Sequence, residues 1–512
     1  LECKKIMKKL LGIVVLGLLW CNISFSQSKL NEFNKWLYDN GHHQYLNLNT
    51  EAVSYKATAK NKKDPLTSIT RTHMNSKATA EVDAMEACEL IYEAQGKEMQ
   101  EACYIHSVVS FNACETEPKF SQLWYYNKCN QFRGTNNLNL KVYKNRWTLP
   151  EGVNTNFGTL LYYFYKYQHS PFMNSRWHTY ETKPSSKYFK FKSDLKEVEY
   201  INKEFNKTAL LSYLLYEDGK ITVDKISPKD RFGNFANNET RLRSMSIGKT
   251  MVSYVMGHAI CRGYIDSVDS RLNDWSLTKN TLYDNQKIID LLNANAGDQK
   301  YVNRSFFKDG IGVDDLTTLE TMNKMSNLKK SKPKYNYGAL LPHLLLNYIS
   351  FKSGDDFENL LKDIFQNEAQ IEKSVTFLKH KYRKKEEGIA NSMFFATRYD
   401  YLRIAKSILD DWNNDTCMGK YLKKIYENRI PKGNFDQRFE LSDSFSGTKS
   451  YAGFFHTNYP GMKNRKVMGM SGYGGIEIII DFDRSRIIVI HSIHQNYNWR
   501  KIAYSVIKKG KL

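Results

Sequence analysis

The chain has 512 residues, of which 41% are hydrophobic, 13% aromatic and 25% charged. This globular composition excludes a fibrous or broadly disordered protein and calls for two or three domains. The formal charge is +21, but the lysines are scattered rather than gathered in a stripe with aromatics. That pattern argues against nucleic-acid binding. It leaves an acidic substrate or an anionic envelope polymer as the partner that a positive field would attract.

In chain order, the first expected feature is an export signal over residues 1–26, with Met7 as the start. Lys8 and Lys9 precede an apolar run from Leu10 to Trp20, and Ser24-Phe25-Ser26 supplies small residues for cleavage. An apolar run of about 11 residues is too short for a membrane-spanning helix. Removing residues 1–26 takes away four lysines and one glutamate and lowers the charge to +18. The expected location is periplasmic or secreted. A lipid anchor at Cys21 fits less well, because Trp20 is bulky for an attachment site.

Residues 27–205 form an N-terminal region without a catalytic signature. Segments 31–46 and 160–167 are rich in aromatics, and apolar spacing of three and four predicts a helix over Glu81–Val109. Cys88, Cys103, Cys114 and Cys129 read as up to two disulfides, with three possible pairings. A zinc site is disfavoured because none of them forms a Cys-x-x-Cys pair. Cys261 and Cys417 read as ordinary buried thiols.

From about residue 206 the pattern sharpens. Thr208–Tyr216 and Ile221–Ile226 are predicted strands flanking the turn Glu217-Asp218-Gly219-Lys220. Ile476–Asp481 and Arg486–His491 repeat the arrangement around a turn at Phe482–Ser485, and Trp499–Lys508 reads as a closing helix. The segments between the two hairpins look mostly helical. Strands at both ends with helices between them imply an α+β fold, an antiparallel sheet flanked by helices, preceded by the smaller N-terminal region. The expected domains are therefore 27–205 and 206–512.

The segment Ser244-Met-Ser-Ile-Gly-Lys249 carries the chemistry. Ser246 and Lys249 are three apart, which on a helix puts both side chains on one face. A lysine made neutral by burial can accept the serine proton, and a helix N-terminus favours an oxyanion. The spacing alone also fits an N-cap serine and a surface lysine. A phosphate-binding loop is excluded, because it needs Gly at position 243, which is Arg.

The surrounding segments, in order, resemble the serine β-lactamase family. Within it, they resemble the class C and DD-peptidase/esterase branch, which also holds the 6-aminohexanoate-oligomer hydrolases. The hairpin at Asp218-Gly219-Lys220 precedes the Ser246-x-x-Lys249 run. Gly263–Arg271 and Ile288–Gly297 follow, the latter with Ala296 where the family usually has Ser. Lys334–Leu345 resembles the second motif and puts the family tyrosine at Tyr337, with Tyr335 as the competing assignment and Ala339 in place of Asn or Ser. Met468–Glu477 resembles the third motif, with Met470 where Lys or His is usual, followed by Ser471 and Gly472. Asp400–Ala405 matches a helix that often begins with Asp in the family. The resemblance covers about 206–512.

The resemblance implies an acyl-enzyme on Ser246, with Lys249 and Tyr337 as general acid and base and no metal or cofactor. The backbone N–H groups of Ser246 and Tyr473 are the expected oxyanion hole, and Met470, Ser471 and Gly472 the expected substrate contacts. Ala339 and Met470 point away from a plain β-lactamase and towards an amidase, esterase or carboxypeptidase acting on a small or peptide-like substrate. A catalytically degenerate domain that binds envelope peptides or glycans is the alternative.

Overall fold

The computed structural model describes residues 53–112 and 177–509, except 75–76, 93–94, 209, 230–231, 234–235, 304–305, 434–447, 463, 473–474 and 493–499. The expected signal, segments 31–46 and 160–167, and Cys114 and Cys129 lie outside the described residues. The described chain divides into two units.

Among the described residues, the first unit is a three-stranded antiparallel sheet with one long helix and a short one, Lys97–Gln100. Strand β1 (Val53–Asn61) lies between β2 (Ser68–Met74) and β3 (Cys103–Asn112), and α1 (Lys77–Tyr92) packs on the sheet. Its small core holds Ala57, Ala59, Ile69, Ala80, Ala84 and Tyr92, with a Cys88–Cys103 disulfide beside them. The helix expected over 81–109 therefore ends at Tyr92. Residues from Cys103 instead pair with β1, where cross-strand hydrogen bonds outweigh the local helical spacing.

The second unit contains β4 (Trp177–Thr182), α2 (Glu199–Lys207), β5 (Leu210–Glu217), β6 (Lys220–Ile226), α3 (Ile247–Cys261) and α4 (Leu340–Ser353). It continues with β7 (Val375–His380), β8 (Ala390–Ala396), α5 (Arg398–Asn414), α6 (Cys417–Glu427), β9 (Ser450–Ala452), β10 (Phe455–Thr457) and β11 (Val467–Gly472). β12 (Ile476–Asp481), β13 (Arg486–Ser492) and α7 (Arg500–Lys509) follow, with shorter helices and strands between these elements. β4 and α2 are built into this unit although both begin before residue 206.

Nine described strands form the main sheet, in the order Ile430–Pro431, β9, β10, β11, β12, β13, β5, β6, Lys192–Ser193. All neighbours are antiparallel except the last pair. The two predicted hairpins thus meet, β13 pairing with β5 across the length of the unit. Asp218 and Gly219 both have positive φ, 50° and 78°, as a two-residue hairpin turn requires. Alternation along the strands puts Tyr213, Leu215, Val223, Ile479, Ile488 and Ile490 on one face. Ile201 and Phe205 of α2 and Ile502 and Val506 of α7 bury that face.

A second sheet, in the order β4, β7, β8, Leu242–Arg243, occupies part of the stretch expected to be helical. Thr397 caps α5, its side chain accepting from the Asp400 N–H, while the buried Asp400 carboxylate ties α5 to the Glu372 and Lys373 amides and also accepts from Arg403 one turn along the same helix. Cys261 and Cys417 are joined in a disulfide, which corrects their reading as free thiols. They are 156 residues apart, and only the packing of α3 against α6 brings the end of one helix to the start of the other. Among the described residues no helix is long and apolar enough to cross a membrane.

Candidate active site

The site is assembled where α3 meets β8 and β11. The turn into α3 is held by Ser244, whose N–H donates to the Phe394 carbonyl at 2.8 Å and whose hydroxyl accepts from the Phe394 N–H at 3.0 Å. The next residue, Met245, has φ +47°, a left-handed conformation that costs a β-carbon-bearing residue about 1 kcal/mol. That bend puts Ser246 at the helix start, half-buried. Two glycines let the elements close around it. A Cβ on Gly248 would lie 2.0 Å from the Ser392 carbonyl oxygen, and one on Gly472 would lie 2.8 Å from the Ser244 carbonyl oxygen.

Lys249 sits one turn into α3, buried, with Nζ 3.2 Å from Ser246 Oγ. Burial draws its pKa down to about 8, and the charge of Asp314 partly opposes that fall. The amine therefore stays within reach of its neutral form near physiological pH, as a proton acceptor for Ser246 must. Tyr337 is half-buried, and the Lys249 ammonium lies 5.1 Å from its ring centroid. Tyr335, the competing assignment, is buried against Tyr451.

Met470 is fully buried, so its side chain is not presented to a ligand. Ser471 lies opposite Glu477 across β11 and β12. Burial pushes the Glu477 carboxyl well above its usual range, with the Ser471 hydroxyl and the charges of Arg500 and Lys432 opposing. The Ser471 side chain thus serves a buried carboxyl in the sheet. Gly472 closes on Ser244 as described. Tyr473, the second expected oxyanion donor, lies outside the described residues.

Two groups around this centre have no role assigned from the sequence. On one side, His343 Nε2 lies 2.6 Å from Asp314 Oδ1, and the Ser392 N–H donates to His343 Nδ1 at 3.2 Å. Asn391 Nδ2 donates to the same Asp314 oxygen at 3.2 Å. Burial raises the Asp314 carboxyl, but the His343 contact, the Lys249 charge and the Asn391 amide outweigh it and hold it well below the usual carboxylate range. On the other side, buried Lys432 donates to Thr448 Oγ1 at 2.6 Å and to His456 Nδ1 at 2.8 Å. The His456 ring lies 6.3 Å from that of Tyr337, and the Tyr451 ring 6.1 Å from it. Burial first, then the charges of Lys432 and Lys249, pushes His456 well below its usual pKa, so its ring is neutral at physiological pH.

No family model matches the sequence, and no curated relative matches it. Solved structures do. A candidate 6-aminohexanoate-dimer hydrolase of Bacillus anthracis superimposes with a TM-score of 0.50 at 12% identity, over 68% of this chain and 93% of that one. A candidate β-lactamase of Bacteroides dorei gives a TM-score of 0.43 at 13% identity, over 59% and 90% of the two chains. FmtA of Staphylococcus aureus gives 0.42 at 13%, over 64% and 94%. The last two scores are too low to argue from, and at such identities the first speaks for architecture alone. By its antiparallel sheet, its flanking helices and that superposition, the chain has a β-lactamase-like fold.

Proposed function

We propose that this chain is an exported serine hydrolase that works through an acyl-enzyme on Ser246. The observation that carries the reading is the buried Lys249 amine, 3.2 Å from a half-buried serine hydroxyl, with its pKa drawn down to about 8. Neutral Lys249 takes the Ser246 proton as Oγ attacks an ester or amide carbonyl, and Tyr337 protonates the leaving group. Water then releases the acyl group. The start of α3 adds partial positive charge beside the developing oxyanion, with the backbone N–H groups of Ser246 and Tyr473 as its donors. The substrate is small or peptide-like. Export is supported by the charged, apolar and small-residue succession in 1–26 and by disulfides at Cys88–Cys103 and Cys261–Cys417, which persist in oxidising compartments. The high positive charge suits an anionic envelope polymer as a surface partner.

The test is a panel of fluorophosphonate and β-lactam probes followed by peptide mapping. Labelling at Ser246 that disappears in Ser246→Ala is the expected result. Labelling at another residue, or none across the panel, overturns the proposal. Labelling without subsequent release of an ester product would indicate a binding domain instead of a turning-over enzyme.

A further inference from the structure

The third motif lacks its usual cation, because Met470 is apolar and buried. The fold nevertheless brings another cation to this side of the site. Lys432 follows the edge strand Ile430–Pro431, which pairs with β9, and β9 pairs with β10, which carries His456. Its ammonium is pinned between Thr448 Oγ1 and His456 Nδ1 and lies 6.0 Å from the ring centroids of both Tyr335 and Tyr451. An ammonium has only hydrogens to offer, so Nδ1 must be the acceptor. A neutral imidazole with Nδ1 unprotonated carries its proton on Nε2. The lysine therefore fixes both the tautomer and the orientation of a ring that lies beside Tyr337, tilted 34° to it.

We propose that Lys432 is a positioning residue of the hydrolase site. It supplies from the neighbouring edge strand the cation that position 470 lacks, and through His456 it holds the aromatic wall against which Tyr337 is set. This rests on the reading of Tyr337 as an acid–base group. The arrangement separates two tasks. Ser246 and Tyr337, which would touch the substrate, are half-buried, whereas Lys249, Lys432 and His456 are buried behind them. Among the described residues, the titratable groups facing this brace include Lys249 from α3, Tyr335 and Tyr337 from the segment before α4, Tyr451 from β9 and Glu477 from β12. Asp314 faces Lys249.

The test uses the full chain. Imidazole ¹⁵N NMR of the wild type should show His456 as the Nε2–H tautomer, unchanged across neutral pH. Lys432→Met should release that tautomer and, with a chromogenic ester as the probe, lower kcat about tenfold or more with KM little changed, as expected when positioning is lost rather than binding. Lys432→Arg, which keeps the charge and can still donate to Nδ1, should recover most of the rate. A wild-type His456 protonated on Nδ1 overturns the proposal, whether or not either variant folds. Equal rate losses in the Met and Arg variants, or a loss confined to KM, also overturn it. Failure of the hydrolase reading is separable, because Ser246 would then resist fluorophosphonate labelling while the His456 tautomer stayed as stated.

Discussion

Replacing Asp314 by Asn should move the proposed hydrolase activity to lower pH. Asn keeps an oxygen that can accept from His343 Nε2 but carries no charge, so the change isolates the electrostatic effect on Lys249. Lys249 has a pKa of about 8, set by burial and raised in part by Asp314. At pH 7 roughly one lysine in ten is then neutral and competent as a base, and at pH 6 roughly one in a hundred. An opposite charge nearby commonly moves a pKa by about 1 or more. Without Asp314 the Lys249 pKa should therefore fall to ~7, making about half the population competent at pH 7. The assay is kcat/KM for a chromogenic ester between pH 5 and 10. The expected profile has its acid limb displaced downward by about one pH unit, an approximately tenfold higher rate at pH 6 and little change above pH 9. An acid limb that stays in place or moves upward would refute the assignment of Lys249 as the base, provided the variant folds by circular dichroism.

Three further outcomes follow from the same geometry. Lys249→Met should abolish turnover yet stabilise the fold by up to about 3 kcal/mol at neutral pH, read as a higher Tm, because it removes an amine whose pKa has fallen from 10.5 to about 8. The sign is specific: a lysine depressed by folding weakens the wild type below pH 8 and ceases to do so above 10.5, so wild-type stability should rise with pH through that window and the variant's should not. Gly248→Ala should cost on the order of 2 kcal/mol or more and most of the activity, since its methyl would lie 2.0 Å from the Ser392 carbonyl oxygen. An unchanged denaturation midpoint would contradict that packing. Replacing Cys261 and Cys417 together by Ala should lower stability by about 2–4 kcal/mol, measured by chemical denaturation. A variant as stable as the wild type would mean that the α3–α6 tie is unimportant.

The sequence by itself determined the two hairpins, the turn at Asp218-Gly219, the closing helix and the proximity of Ser246 to Lys249. Each is a local property: strand periodicity, a residue pair suited to positive φ, or a three-residue helical spacing. Tyr337 was reachable only through resemblance, because a tyrosine before a helix has no distinguishing local signature. What the tertiary structure alone decided is long-range. The strand from Cys103 was hidden by helix-like spacing and emerged through pairing with β1. The Cys261–Cys417 bond depends on two helix ends that approach only after packing. Ser471 looked like a substrate contact but lies across from buried Glu477, because register decides what each strand residue faces. Asp314 with His343, and Lys432 with His456, come from separate loops and strands, and no spacing rule could join them. Burial depends on what the rest of the chain places around a side chain, and it is burial that lowers the pKa of Lys249. The sequence could therefore bring Ser246 and Lys249 together, whereas only the fold could supply the charges around them.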